Sequence, residues 1–370
     1  MNATQRLGDL VEVFDAARRP IKGLDRVAGV TPYLGASGVV DFVDGFTHVG
    51  EYLCVSEDGE NLRSRGTPIA WVQQGRFWAN NHLHVVGGVS LARLRFLEGA
   101  LAHVSVMPYL TGSTQPKLSQ SALLAIEIPR LGEGPEERVG ELLGALDDKV
   151  AANRHVAESA RALAVTIVSR LAARCAVSDV ATQSRSSVNP NTMSDEAVQH
   201  YSLPAFDAGA PEVVAPAALM SAKNHLQEPA VLVAKLNPRI PRIWPVPHLG
   251  VMPALASPEF VALTPRNTSV GALWGALAHP SFTEKVLTFV AGTTGSHQRV
   301  KPEHLLSVSI PDIRQLSSAE DTTVQTLVAL TQQVVSENET LAKTRDELLP
   351  LLMSGKITVR DAEKRVEGVV

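Results

Sequence analysis

The residues of this chain best suited to chemistry sit in two short, similar stretches. Thr111-Gly112-Ser113-Thr114-Gln115-Pro116-Lys117 and Thr294-Gly295-Ser296-His297-Gln298-Arg299 each join glycine, hydroxyls and an amide to one terminal cation. Open backbone N–H groups and hydroxyls beside a cation suit a phosphate, and a helix start downstream adds a favourable dipole. The same composition suits a loop that only docks a domain onto its own helix, and the two readings stand level. Ser113 has no basic partner in a triad-like context, which argues against nucleophilic catalysis. His82 and His84 alternate on an expected strand and would share a face, as metal ligands can, but no Cys, Asp or Glu stands nearby at ligand spacing. Hydrogen-bonded core or interface histidines are the simpler reading. Asn80-Asn81-His82 could present amides to base edges, where Asn pairs with adenine, or could make a turn. Lys223, Lys235, Arg239, Arg242 and Arg266 make the second half locally basic, though each is ordinary alone.

These residues need elements to position them, and the elements come in two sets. The first loop leads into Ser119, an expected helix N-cap, then a short helix, a strand and the stop Pro129; Lys301 to Pro311 repeats that order. A long helix follows each. Its first apolar stripe is Leu143, Leu146, Val150, Ala157, Ala160, Ala164, Ile167 and Leu171, interrupted by Asn153. Shifted by 184 positions, the stripe returns as Leu327, Leu330, Val334, Glu337, Leu341, Thr344, Leu348 and Leu351. Spacings of three and four over four heptads describe a coiled-coil seam, with Asn153 and Glu337 as register setters or merely tolerated polar sites. Each helix spans about 55 Å, and pairing the two is the economical way to bury both stripes. The loops are offset by 183 at the glycine, Gly112 to Gly295, so the chain is two copies of one unit.

Between these landmarks the domains read as strand-rich. Leu7 to Phe14 is a short strand or helix entry; Val39 to Val43 follows the turn Gly35 to Gly38; Tyr52 to Val55 closes at Glu57 to Glu60. In the second domain Val231 to Arg239 is a strand into a turn, and Glu259 to Pro265 is another. Leu273 to Phe289 is helical with a break at Pro280. Ser178 to Glu196 reads as a polar linker or long surface loop, and Lys356 to Val370 as a tail without a strong pattern.

Composition bounds the function. With 370 residues, 45% hydrophobic and 19% charged, the chain is an ordinary soluble protein of two or three domains. A net charge of −4 restricts any DNA contact to local basic patches. Two cysteines without a CxxC pair fit a reducing cytosol and exclude a cysteine zinc knuckle. The start of the chain carries no apolar leader, and Arg170 and Arg174 interrupt the greasiest run, so a cytoplasmic protein away from membranes is expected. No HExxH, P-loop or dinucleotide motif occurs, and Asn237-Pro238-Arg239-Ile240 lacks the second proline and aromatic of a methyltransferase motif. Neither catalysis nor a cofactor is expected.

The order of domain, long helix, domain, long helix resembles the specificity (S) subunit of type I restriction-modification enzymes. The resemblance rests on GRFWANNH at 75–82, TGSTQPKLSQ at 111–120, YSLPAFD at 201–207, AKLNPRIPRIW at 234–244, GTTGSHQRV at 292–300 and RDELLPLLMSGKI at 345–357. It implies an α+β fold: target-recognition domains at 1–132 and 178–316, spacer helices at 133–177 and 317–355 forming an antiparallel coiled coil, and a tail at 356–370, with a pseudo-twofold internal repeat. Each domain would read one half of a bipartite, asymmetric site in double-stranded DNA. The helices would set the spacer and dock two modification (methyltransferase) subunits, with restriction (nuclease/translocase) subunits completing the complex. The candidate DNA contacts are Lys117 and Arg299 for the backbone, Gln115, Gln298 and Asn81 near base edges, and Thr111, Gly112, Ser113, Lys223, Lys235, Arg239, Thr294, Gly295 and Ser296 around them. The insert at 178–196 is longer than the family suggests, and the two domains share little outside the loop. An assembly scaffold without DNA readout is the alternative from another class, and a system whose nuclease and methylase share one polypeptide is a second.

Overall fold

The computed structural model describes residues 3–290 and 298–368, which fall into two compact units. One comprises Met1–Val150 and Glu339–Val370, the other Ala151–Asn338. Each long helix therefore gives part of its length to each unit.

The first unit is built on a six-stranded sheet in the order Glu12–Val13, Leu83–Gly87, His48–Ser56, Ala70–Ala79, Ala28–Gly35, Gly38–Val43. The second contains a four-stranded sheet in the order Ala181–Gln183, Phe260–Pro265, Ala230–Ala234, Ile243–Val246. The first four strands of one match the four of the other, antiparallel at every pairing. Around this shared sheet the same sequence of elements recurs. A helix starts at an N-cap serine, Ser90 for Leu91–His103 and Ser269 for Val270–Ala278. Then come the short helices Gln120–Leu124 and Pro302–Ser307 and the two-stranded pairs Thr4–Arg6 with Glu127–Pro129 and Arg174–Ala176 with Ser309–Pro311. The long helices Glu133–Ser169 and Ser318–Met353 follow.

The units differ in what is inserted. The first adds the hairpin Ala28–Gly35 and Gly38–Val43 to the edge of its sheet, joined in parallel through Ala28–Gly35 to Ala70–Ala79. The second instead inserts a separate five-stranded sheet of Ser187–Val188, Lys223–Leu226, Ala254–Ala256, Val198–Tyr201 and Glu212–Val214.

Helix pairing is antiparallel inside each unit. In the first, Leu143 shares a core with Leu348, Leu352 and Met353, and Asp147 accepts from Arg345 at 2.8 Å. In the second, Ala164 and Val168 share a core with Val324 and Val328, and the Asn153 amide donates to Glu337 at 3.0 Å and to Asn338 at 2.9 Å. The two polar interruptions of the stripe are thus hydrogen-bonded to each other. Leu143, Leu146, Leu341, Leu348 and Val334 are buried and Val150 half-buried; Leu327 and Leu330 are half-buried because Val324 and Val328 take the innermost places there.

Three stretches fold differently from the sequence reading. Residues 178–196 are no linker: they carry the helical turn Val177–Val180, two strands and the 3-10 turn Pro190–Thr192. Val177, Val180 and Ala181 are buried there, and the outward polar residues conceal that inward row. The C-terminal segment forms the helix Val359–Glu367. Thr358 and Asp361 cap it reciprocally, Ala362 is buried, and Val359 and Val366 pack on the first unit's core. Leu7 to Phe14 resolves into the 3-10 turn Leu7–Asp9 and the strand Glu12–Val13. The break at Pro280 is where expected, with Pro280 opening a new helix to Leu287. No helix among the described residues is long and apolar enough to cross a membrane.

Candidate nucleic-acid interface

The first repeated loop is a closed backbone structure. Thr111 and Lys117 exchange N–H···O bonds of 2.9 and 2.8 Å. Gly112 sits at φ +82°, and a Cβ there would collide with the Gln115 carbonyl, so the turn needs glycine. The carbonyls of Gly112 and Ser113 accept from the Arg63 guanidinium at 2.8 and 3.2 Å. Thr111, Ser113 and Gln115 are exposed. Lys117, half exposed, pairs with Glu57 at 3.1 Å, and Glu57 also accepts from Arg18 at 2.6 Å. Burial opposes ionisation of Glu57, but the bonds from Arg18 and Lys117 outweigh it and hold its carboxyl below the ordinary value.

Beneath the loop lies a buried polar network. His84 directs Nδ1 to Asp15 at 2.6 Å and Nε2 to the Leu118 carbonyl at 2.8 Å. Burial likewise opposes ionisation of Asp15, and the bonds from His84 and the Val85 N–H prevail, lowering its pKa. His82 is elsewhere: it lies in an exposed turn before the strand Leu83–Gly87, paired with Asp58 at 2.8 Å. The expectation that both histidines share one strand face is therefore corrected. The chain leaves the sheet at Ala79, and Asn80 turns it by accepting the His82 N–H at 2.7 Å. Asn81 is exposed at the tip.

In the second unit Thr294, Gly295 and Ser296 lie outside the described residues. The loop's end is seated on the same backbone frame. The N–H of Val300 reaches the Lys235 carbonyl as that of Leu118 reaches Glu57, and the Lys235 N–H reaches Glu259 as that of Glu57 reaches His82. Glu57 and Lys235 are thus equivalent positions, as are His82 and Glu259. Arg299 again finds a carboxylate, Glu259 at 2.8 Å, supplied from the turn that enters the strand Phe260–Pro265. Gln298 is half-buried, and its carbonyl accepts the Asn237 N–H at 2.8 Å, where Asn237 turns at φ +49°. Lys235 is half-buried and Arg239 exposed just beyond. Lys223 points inward, 7% exposed, with its ammonium on the carbonyl and hydroxyl of Ser221 at 2.8 and 2.9 Å. Burial lowers its pKa. The structure brings each loop's final cation to a carboxylate that sequence spacing does not mark, because Glu57, just past the strand His48–Ser56, and Glu259, just before Phe260–Pro265, lie 60 and 40 residues away.

Comparison with known proteins places these features in a class. Residues 2–156 match the family model for the type I restriction modification DNA specificity domain. A protein of Haemophilus influenzae named a type I restriction enzyme specificity subunit is 36% identical over 140 residues, covering 38% of this chain and 36% of that relative's length. The crystal structure of the S subunit of a type I restriction-modification system from M. genitalium covers 95% of both chains with a TM-score of 0.62 at 13% identity, a likeness of fold. The family match is confined to residues 2–156, the chain matches about a third of the length of that relative, and over nearly its whole length the fold is similar to that of the M. genitalium S subunit.

Proposed function

We propose that the chain is the non-catalytic DNA-recognition subunit of a type I restriction-modification complex. Each unit reads one half of a bipartite, asymmetric site in double-stranded DNA through its own inserted strands. The paired long helices set the unread spacer and dock two modification (methyltransferase) subunits, and restriction subunits complete the assembly. The observation that carries this reading is the repeated four-strand sheet with unlike insertions: one frame used twice, with two different surfaces. Such a design suits two different half-sites on one duplex.

Of the two roles open for the repeated loops, docking is the better supported. The first loop's carbonyls are engaged by Arg63, and the final cations of the two loops by Glu57 and Glu259. A phosphate at Lys117 or Arg299 would have to share the cation with Glu57 or Glu259. Asn81, Thr111, Ser113, Gln115 and Arg239 are exposed candidates for direct contact, and inward-pointing Lys223 is not one of them. The test is long-read methylation mapping of DNA from cells co-expressing the chain with a modification subunit, against cells lacking the chain. A bipartite methylated motif that needs both chains is expected. An active, soluble complex that leaves no motif would favour a scaffold without DNA readout.

A further inference from the structure

The second unit has an open polar cleft of about 490 Å³ where its shared sheet meets its inserted sheet. The strand end and turn at 182–186 form one wall, Gln227 and Glu228 another, and the chain leaving the strand Phe260–Pro265 at Arg266 the third. We infer that this cleft is a contact for the DNA phosphodiester backbone beside the half-site of the second unit, with Arg185 and Arg266 as its cations; this rests on the proposed function.

Several of the cations that could face DNA are already paired. Lys117, Arg299, Arg242, Arg26 and Arg345 each already face a carboxylate. A phosphate arriving at any of them competes with a resident anion. Arg185 and Arg266 are exposed, and neither makes an ion pair among the described residues. Arg266 is also held in place. Its backbone N–H donates to the Val180 carbonyl at 2.7 Å, its Nε donates to the Thr182 hydroxyl, and the next residue, Asn267, turns at φ +51°. That anchoring by Nε leaves the terminal nitrogens to face a ligand, and a planar guanidinium fixed in this way suits two phosphate oxygens.

The rest of the wall agrees with an anionic, hydrated ligand. Ser184 and Ser186 line it beside Arg185, and Pro265 is the one apolar side chain among the lining residues. An apolar small molecule would find nothing to bury against, whereas backbone contacts in protein–DNA interfaces are made by Arg and hydroxyl side chains together. Glu228 is the sole carboxylate of the lining, and it sits exposed. Position supports the assignment too, since the cleft opens where the insertion peculiar to this unit begins.

The test uses the complex of the full chain with a co-expressed modification subunit. Binding to duplex carrying the methylated motif and to unrelated duplex is measured across salt concentrations. The double variant R185A/R266A is expected to flatten the slope of log K against log salt by about 2, each lost phosphate contact contributing about 0.9. The loss should be alike on both duplexes, and the methylated motif should keep its sequence. The charge-preserving R185K/R266K should restore most of the slope. R360A/K364A, which removes two exposed cations from the C-terminal helix, should leave it unchanged. An R185A/R266A slope equal to that of the unaltered protein, with the motif intact, overturns the cleft assignment alone. A double variant that binds less inorganic phosphate by calorimetry yet keeps its DNA slope makes this a free-anion site, which also overturns it. If the unaltered complex yields no motif and no motif-dependent binding, the proposed function itself fails, and this assignment with it.

Discussion

The two units solve one packing problem from opposite sides. In the first, the helix Leu91–His103 meets the first long helix where Gly140 faces the Ala92 carbonyl, and a Cβ on Gly140 would run into that backbone. In the second, the equivalent contact has Gly271 on the short helix against the backbone of Gln325 on the long one. Counted from the N-caps Ser90 and Ser269, Ala92 and Gly271 hold the same place. The cap hydroxyls also behave alike, Ser90 donating to Glu137 at 3.0 Å and Ser269 to Asp321 at 2.6 Å. Close approach of the helices is required in both, but either helix can supply the missing side chain. The same exchange occurs under the repeated loops, where the carboxylate facing the cation comes from Glu57 in one unit and from Glu259, at the position equivalent to His82, in the second. Geometry is shared here where residue identity is not.

The sharpest way to break this comparison is to fill the contact. Alanine in place of glycine inside a helix gains about 1 kcal/mol of propensity. Overpacking against backbone costs about 3 kcal/mol, so the clash wins and G140A and G271A should each destabilise by about 2 kcal/mol or more. Chemical denaturation with hydrogen exchange should place the first loss in the first unit and the second in the other. A stabilised G140A would mean the helices do not meet as described.

A smaller effect is expected at the helix pair. Asn153 is 4% exposed and its amide makes two hydrogen bonds across the pair. N153A should cost about 1 kcal/mol, since two half-buried acceptors lose a partner. Replacing Asn153 and Glu337 together by leucine should recover much of that, and should weaken the register rather than the stability. Equal stability of N153A and the unaltered chain would make Asn153 a tolerated residue.

The smallest effect separates the units by pH. Glu98 occupies the helix position that Leu277 holds in the second unit, counted from the serine caps. Burial pushes its carboxyl up from 4.5 to about 7, with nearby Asp147 adding to the rise. The folded state therefore holds a proton that the unfolded chain releases, and the first unit should lose stability as pH climbs from about 4.5 to about 7. E98Q should remove that slope and gain on the order of 1 kcal/mol at pH 8, with the second unit unchanged. Thermal melts across that range, resolved by hydrogen exchange, would show it; a slope that persists in E98Q would place its origin elsewhere.

Much of this architecture was legible in the sequence because it was written as repetition. The stripe from Leu143 and its return from Leu327, the twin loops and the break at Pro280 all depend on periodicity or on glycine and proline. What stayed hidden depends on partners distant in sequence. The strand Ala181–Gln183 looks like a polar linker because its burial is defined by Phe260–Pro265, some 80 residues later. His84 and His82 look like a pair until Asn80 is seen to turn the chain between sheet and strand. The candidate contacts were read only as local composition, which cannot reveal that Lys223 folds inward onto Ser221 or that Lys117 already has Glu57. Glycine at Gly140 or Gly271 carries no signal of close approach until the partner helix is in view.

If the two units read separate halves of one site, exchanging one unit's domain must change only its half. Residues 178–316 would be replaced by the corresponding segment of a type I specificity subunit, and the methylated motif mapped by long-read sequencing in cells supplying the modification subunit. The expected motif differs in one half and only one half, with the spacer length kept. A change in both halves, or an unaltered motif from a folded, active exchange protein, would contradict it.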